Sequence, residues 1–297
     1  MKIAIKNICF LIVVCFALAS CLKDKDYENG LIQSVRSNGQ NQNIIEIQLT
    51  ANDTTQFLHQ AFDLSNNDTV IDVIPVVLAS PNGATEDIHV TLVANPSLVT
   101  AYNAANGSSY NVPSSSLYTV INPGNVVTIP KGSRVGYLQI KLKPNNFLGQ
   151  DWALGYTIGS IDNASYIASG NLSAGVYAFG IKNKYEGKYH STGYFQHPTS
   201  PRAINKDKYV STINANTVAT ELGDLGSGTQ INITINTDNT VNITPGSGTS
   251  GTTAAVAAIS GDAVYNNTYD PATKTFYLKY GYPNPATRII TEVLKLK

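Results

Sequence analysis

Apolar side chains recur at every second position along most of this chain, and that habit restricts it to β structure. In Ile44–Thr50, Ile45, Ile47 and Leu49 fall on one face. Ile88, Val90 and Leu92 do the same, and in Arg134–Lys143 the apolar Leu138, Ile140 and Leu142 oppose Gln139, Lys141 and Lys143. A strand sends successive side chains to opposite faces, so a period of two marks a strand buried on one side. Val70–Leu78 is apolar almost throughout, as a central strand is. Its Pro75 lacks the amide hydrogen a ladder needs and argues for an edge or a bulge. Pro81-Asn82-Gly83, Asn122-Pro123-Gly124 and Pro130-Lys131-Gly132 punctuate these runs as turns do in a sandwich. One segment departs from the pattern. Asn95–Asn103 predicts a short helix, with Leu98, Ala101 and Tyr102 at helical spacing, Asn95 before Pro96 as its start and Asn106-Gly107 as its stop.

Val176–Lys182 reads as the closing strand of a first unit, and Lys184-Tyr185-Glu186-Gly187-Lys188-Tyr189 as the opening of a second. In the second unit Ile231, Ile233 and Ile235 alternate with Asn232, Thr234 and Asn236. Thr237-Asp238-Asn239-Thr240 then turns the chain into Val241–Thr244. Asp270–Lys274 is a second turn, leading into Thr275–Tyr280, and Arg288–Lys295 is the last strand. The stretch Pro245–Gly251 is a flexible loop. It lacks the Gly-Lys-Ser/Thr ending of a phosphate cradle. The expected organisation is all-β: a signal peptide over 1–20, a tether over 21–43, a β-sandwich over 44–183 and a second β domain over 184–297. The 297 residues suffice for two such domains.

Charge narrows the function. The chain carries 20 basic and 20 acidic residues and no net charge. A nucleic-acid binder usually shows a basic surplus, so the balance argues against that class. Charged residues make up 13% of the chain, against about 25% in ordinary domains. The difference is taken up by amides and hydroxyls, including 30 Asn, which make a neutral, hydrogen-bonding surface.

The first 21 residues read as an address. Lys2 and Lys6 precede an apolar run, Ile8–Ala19, of 12 residues. A spanning helix needs about 20, so this is a secretory segment. Leu18-Ala19-Ser20-Cys21 resembles a bacterial lipobox, which makes Cys21 a lipidation site and the membrane a partner through the lipid anchor. The competing reading is an ordinary signal peptide with an incidental Cys. Cys9 and Cys15 leave with the signal, so the mature chain forms no disulfide. Leu22-Lys23-Asp24-Lys25-Asp26-Tyr27-Glu28 resembles the export signal of Bacteroidetes surface lipoproteins, or serves as a solvated tether. The expected location is the outer membrane, facing the exterior.

Catalytic chemistry finds little support. The four His (His59, His89, His190, His197) show no zinc spacing, and no free Cys remains to join them, so neither metal nor cofactor is expected. His89 falls on the outward face of its strand, and His190 and His197 flank Gly193-Tyr194-Phe195. Gly248-Thr249-Ser250-Gly251 fails the spacing of a nucleophile elbow. No acidic strand motif supplies the facing carboxylates of a glycosidase. The chain therefore reads as a non-enzyme. Aromatic content is the stronger signal: 17 Tyr, 8 Phe and the single Trp152. Tyr offers a stacking face and a hydroxyl, which suits sugar rings. The candidate glycan-binding residues are Trp152 and Tyr156, which share a strand face, with Tyr194, Phe195, Tyr280 and Tyr282; packing in the core competes for each. Asp53-Thr54-Thr55 and Asp68-Thr69-Val70 resemble the O-glycosylation sites of secreted Bacteroidetes proteins, with Thr54 and Thr69 as acceptors.

A family resemblance gathers these readings. Val90-Thr91-Leu92, Leu98 to Tyr102-Asn103, Gly107, Tyr110, Pro113, Tyr118 and Val126 to Lys131-Gly132 make residues of about 44–182 resemble the DUF1735 domain of Bacteroidetes lipoproteins. Val112-Pro113 stands where that family has Leu-Pro. Residues 184–297, with Tyr185-Glu186-Gly187-Lys188-Tyr189 and Tyr269-Asp270-Pro271, resemble the DUF4361-like modules that follow it. The resemblance implies an immunoglobulin-like β-sandwich followed by a lipocalin-like module or partial barrel. Its relatives are lipoproteins tied to glycan capture. The leading expectation is a non-catalytic surface lipoprotein that binds oligo- or polysaccharide beside an outer-membrane importer. Two alternatives stay open: an adhesive or fimbria-like structural lipoprotein, and an accessory of a separate glycosidase. Exposed coplanar aromatics favour the first, and an open groove beside a strand favours the adhesive reading.

Overall fold

The alternating segments pair into two facing sheets and a third that curls on itself in a computed structural model of the chain, which describes residues 36–37, 40–41, 43–50, 56–283 and 286–297. The signal segment, Cys21 and most of the tether lie outside the described residues. The chain runs β1 (Arg36–Ser37), β2 (Gln40–Asn41), β3 (Asn43–Ile47), β4 (Phe57–Asp63), β5 (Thr69–Ala79), β6 (Ile88–Ala94) and α1 (Pro96–Asn106). It continues through β7 (Tyr118–Val120), β8 (Val126–Ile129), β9 (Val135–Leu142), β10 (Trp152–Ile161), β11 (Tyr166–Ala168) and β12 (Ala174–Lys182). One sheet has the order β4-β12-β10-β6-β8 and the other β11-β3-β5-β9-β7. Within them β4 runs parallel to β12 and β11 parallel to β3.

The sandwich core forms because the two inner faces carry the predicted apolar sets. Ile45, Ile47, Leu138, Ile140 and Leu142 meet Val90, Leu92, Leu154 and Phe179. On β9 the intervening Tyr137 and Lys141 are exposed. β5 is central, and its register against β9 shifts between Asp72 and Ile74. Its pairing with β3 ends at Ile47↔Val76, so the amide hydrogen that Pro75 lacks falls just past the last pair. Pro75 still accepts a hydrogen bond from the Gln48 amide, at 3.4 Å.

The predicted helix is α1. Asn95 precedes it but makes no side-chain cap bond, so Pro96 with its fixed φ carries the start. Gly107, at φ 63°, ends it, and its amide bonds the Asn103 carbonyl. α1 packs on the outer face of β10 and β12, with Val99 buried against Ala153, Val176 and Ala178. Close approach requires Gly155, where a Cβ would sit 2.4 Å from the Asn95 carbonyl oxygen.

The third sheet uses β13 (Gly187–Gln196), β14 (Arg202–Thr212), β15 (Thr217–Glu221), β16 (Gln230–Ile235), β17 (Val241–Pro245), β18 (Ala257–Ala258), β19 (Thr268–Asp270), β20 (Thr275–Tyr282) and β21 (Arg288–Leu296). Its order is β17-β16-β15-β14-β13-β21-β20-β18, with β19 also on β20. The Thr240↔Thr268 bridge and the Val241 amide on the Asn267 carbonyl (2.8 Å) link its two ends, so the barrel is nearly closed. Curling needs space at the bend. A Cβ on Gly193 would lie 2.0 Å from the Thr291 carbonyl oxygen.

Aromatic and branched side chains fill the barrel: Tyr189, Phe195, Ile204, Phe276, Leu278 and Leu294. Among them sits a buried ion pair. Lys208 Nζ donates to Glu292 Oε2 at 2.5 Å, and neither side chain is exposed. Ser191 Oγ donates to the same oxygen at 2.8 Å, and the Tyr280 hydroxyl donates to Oε1 at 2.5 Å. The Gly223 amide in turn donates to the Tyr280 oxygen at 2.8 Å. A buried carboxylate is tolerated only when its oxygens are occupied in this way. Burial, with the Glu292 charge beside it, holds the Tyr280 phenol well above the ordinary tyrosine pKa.

Candidate functional site

Between the sandwich and the barrel lies a cleft of about 280 Å³. Its floor is the outer face of β4 and β12, where Ala61 stands in register with Gly180, flanked on the same face by His59 and Lys182. Ala61 and Gly180 keep that floor low. A Cβ on Gly180 would come within 2.8 Å of Asp151 Oδ1, so glycine lets the Asp151 loop fold across. His59 Nε2 then stands 3.8 Å from the Asp151 carboxylate. Gly149, in the same loop, takes the left-handed φ of 82° and approaches the Ile213 carbonyl of the barrel unit.

The opposite wall comes from β14 and the connecting segment. Tyr209 alternates with the inward Lys208 and Val210, so its ring faces out and is 60% exposed. Its hydroxyl donates to Glu186 Oε1 at 2.9 Å, and the Thr212 amide donates to Oε2 at 2.9 Å. Partial burial and this carboxylate push the Tyr209 phenol up, which keeps it protonated and a donor. The connecting segment is itself fastened. Asn183 is buried, its amide donates to Thr212 Oγ1 and its Nδ2 to the Asn214 carbonyl, while its Oδ1 accepts from the Tyr185 amide. A second cleft, of about 580 Å³, lies beside the same segment and shares Lys182 and Glu186.

The cleft thus offers an open aromatic ring beside carboxylates, an imidazole and the Ser211 hydroxyl, over a flat floor. That is the chemistry that holds a sugar: ring C–H groups on the π face and hydroxyls on acceptors and donors. Both Glu186 oxygens are already engaged by fixed donors.

Most of the aromatic candidates lie elsewhere. Tyr156, Phe195, Tyr280 and Tyr282 are buried, which corrects the expectation of open rings there. Tyr156 and Trp152 do share a face of β10, but it is the face turned to the sandwich core. Trp152 is half-buried, packs edge-on against Phe147 at 5.7 Å and donates its indole hydrogen to the Phe147 carbonyl at 2.9 Å. Phe195, Tyr280 and Tyr282 point into the barrel, because their strands turn those positions inward. Tyr194 is 46% exposed on the outer face of β13. Thr69 opens β5, partly exposed, with its hydroxyl on the Asn67 carbonyl at 3.3 Å; Thr54 lies outside the described residues.

The remaining His side chains are separately engaged. His89 is exposed, as its position in the alternation requires, and meets Asp162 at 2.7 Å. His190 meets Asp207 at 3.0 Å, and His197 Nε2 accepts from Arg288 Nε at 3.2 Å. Among the described residues no three His, Cys, Asp or Glu gather as a metal set. Sequence reading missed Tyr209. Its signal was an aromatic in the alternate phase to Ile204 and Val210, and the lysines at 206 and 208 obscured that phase.

A family model described as an N-terminal domain matches residues 33–165, and one described as a C-terminal domain matches residues 173–296. Among solved structures, a Bacteroides ovatus protein of unknown function superposes with a TM-score of 0.56 at 12% identity, covering 86% of this chain and 95% of that one. A multidomain protein including DUF1735, from Bacteroides ovatus, gives 0.51 at 14% identity, with 85% and 94% covered. An auxiliary nutrient binding protein from Bacteroides thetaiotaomicron gives 0.53 at 15% identity, with 83% and 92% covered. At these identities the likeness shows a shared fold. No curated protein sequence matches the chain.

Proposed function

We propose, from the two family-model matches over residues 33–165 and 173–296, that the chain is a non-catalytic, surface-attached binder of oligosaccharides. In this reading the first unit is a DUF1735-type domain and the second a DUF4361-like module. Cys21 carries the lipid that holds the protein to the outer membrane, and the bound glycan is passed to an importer there. The observation that carries the reading is the cleft: an open Tyr209 ring in the wall opposite a floor kept low by Ala61 and Gly180, with groups around it that pair with hydroxyls. The auxiliary nutrient binding protein of the same fold lends the reading support.

A glycan array probed with the chain from residue 22 tests it, followed by titration of any hit. Binding that Tyr209→Ala weakens about tenfold, and Tyr209→Phe largely preserves, is the expected result. A folded protein that binds no glycan on the array sinks the reading.

A further inference from the structure

The cleft does not close off at Tyr209. On β13 and β14 the outward positions pair in a row: Lys188 with Tyr209, His190 with Asp207, Thr192 with Asn205 and Tyr194 with Ala203. The row begins at the cleft and ends at the second open tyrosine of this face. Tyr194 lies six positions beyond Lys188, the partner of Tyr209, so the two tyrosine positions stand ~20 Å apart along the strands. Between them no large apolar side chain intervenes. Thr192 and Asn205 are exposed, and His190 is held on Asp207. Asp207 also takes Lys188 Nζ at 3.1 Å and Lys297 Nζ at 2.7 Å, which fixes the polar middle of the row. Ala203, the neighbour of Tyr194 on β14, is too small to cover its ring.

We propose that this row is a binding track for one extended oligosaccharide, which stacks on Tyr209 at the cleft and on Tyr194 at the far end. The inference rests on the glycan-binding reading and adds its ligand class: a linear chain long enough to reach both rings, in place of a mono- or disaccharide. Two rings at the ends with hydroxyl- and amide-bearing residues between them match the alternation of a sugar chain, whose ring faces are apolar and whose edges hydrogen-bond. Joining two weak contacts on one ligand makes the second intramolecular, so affinity rises steeply once the ligand spans both.

The test is a length series of linear gluco-, manno- and xylo-oligosaccharides, from disaccharide to octasaccharide, titrated calorimetrically into the chain from residue 22. Affinity is expected to climb with length and then level. Tyr194→Ala is expected to weaken the octasaccharide about tenfold and leave the disaccharide unchanged, whereas Tyr194→Phe keeps the long-chain affinity. Tyr209→Ala is expected to weaken every length. If Tyr194→Ala leaves octasaccharide binding intact while Tyr209→Ala weakens it, the track is overturned and the cleft reading stands. If no oligosaccharide of any length binds, the glycan reading falls and takes the track with it.

Discussion

Lys208 and Glu292 are residues whose separate loss this fold absorbs poorly. Each neutralises the other inside the barrel, where neither side chain is exposed. Glu292→Ala strands a buried ammonium and also deprives Ser191 and Tyr280 of their acceptor. Breaking such a pair costs about 3–5 kcal/mol, whereas replacing both partners with apolar residues of similar volume is often near neutral. We expect a large fall in the urea midpoint for Glu292→Ala and partial recovery in Lys208→Met combined with Glu292→Leu, which removes the stranded charge but not the loss of the acceptor of Ser191 and Tyr280. A double variant as unstable as the single one would contradict this account. Asp207 shows the exposed counterpart. Hydrogen bonds from Lys297, then His190 and Lys188, hold its carboxyl well below the usual carboxylate range. A depressed folded pKa contributes stability above the unfolded value of about 3.9, and that contribution is lost as pH falls toward the folded value. Carboxyl NMR should show Asp207 still ionised at a pH where ordinary aspartates have protonated. Lys297→Ala should raise its midpoint.

At the scale of the element, glycines decide where strands can bend and meet. Gly193 lies where β13 is squeezed against β21, with the Thr291 oxygen 2.0 Å from its absent Cβ. Gly193→Ala forces that backbone apart, and overpacking of this kind costs about 1–3 kcal/mol. Thermal unfolding of the variant is expected to show a lowered midpoint in the barrel; an unchanged midpoint would mean that the strand pair relaxes freely. The same scale shows what the sequence made legible. Strands such as β9 and β16 were readable because one face is buried and the other wet, so composition itself records the pleat. The α1 stop was readable because φ 63° falls in the left-handed region that glycine adopts most readily. The site was far less so. Period two says that Trp152 and Tyr156 share a face, but not that this face points into the core. In β14 the inward positions hold Lys206 and Lys208, which inverts the usual reading of polar as outward. The partner that makes Lys208 tolerable, Glu292, is 84 residues away, and no local pattern announces it.

At the scale of the whole molecule the two large cores share no residue: one draws on Ile45 to Ile181 and the other on Tyr185 to Leu294. Trp152 packs only against the first, so its emission reports the sandwich alone. We expect a blue-shifted, quencher-protected emission from its half-buried seat. We also expect its thermal transition to depart from that of near-ultraviolet dichroism, to which the barrel tyrosines contribute, as two-domain chains often show. Coincident transitions by both probes would mean that the Asn183 joint couples the units into one cooperative block. The parallel pairing of β4 with β12 bears on what happens under tension. Seven register pairs, from Phe57↔Val176 to Asp63↔Lys182, bind the two strands side by side in the same direction. A pull applied between residues 56 and 183 enters β4 at its start and leaves β12 at its end. The two strands are then drawn past each other lengthwise, and all seven pairs resist together. Strands peeled apart from one end would instead yield rung by rung, so this geometry resists a lengthwise pull far better than a peeling one.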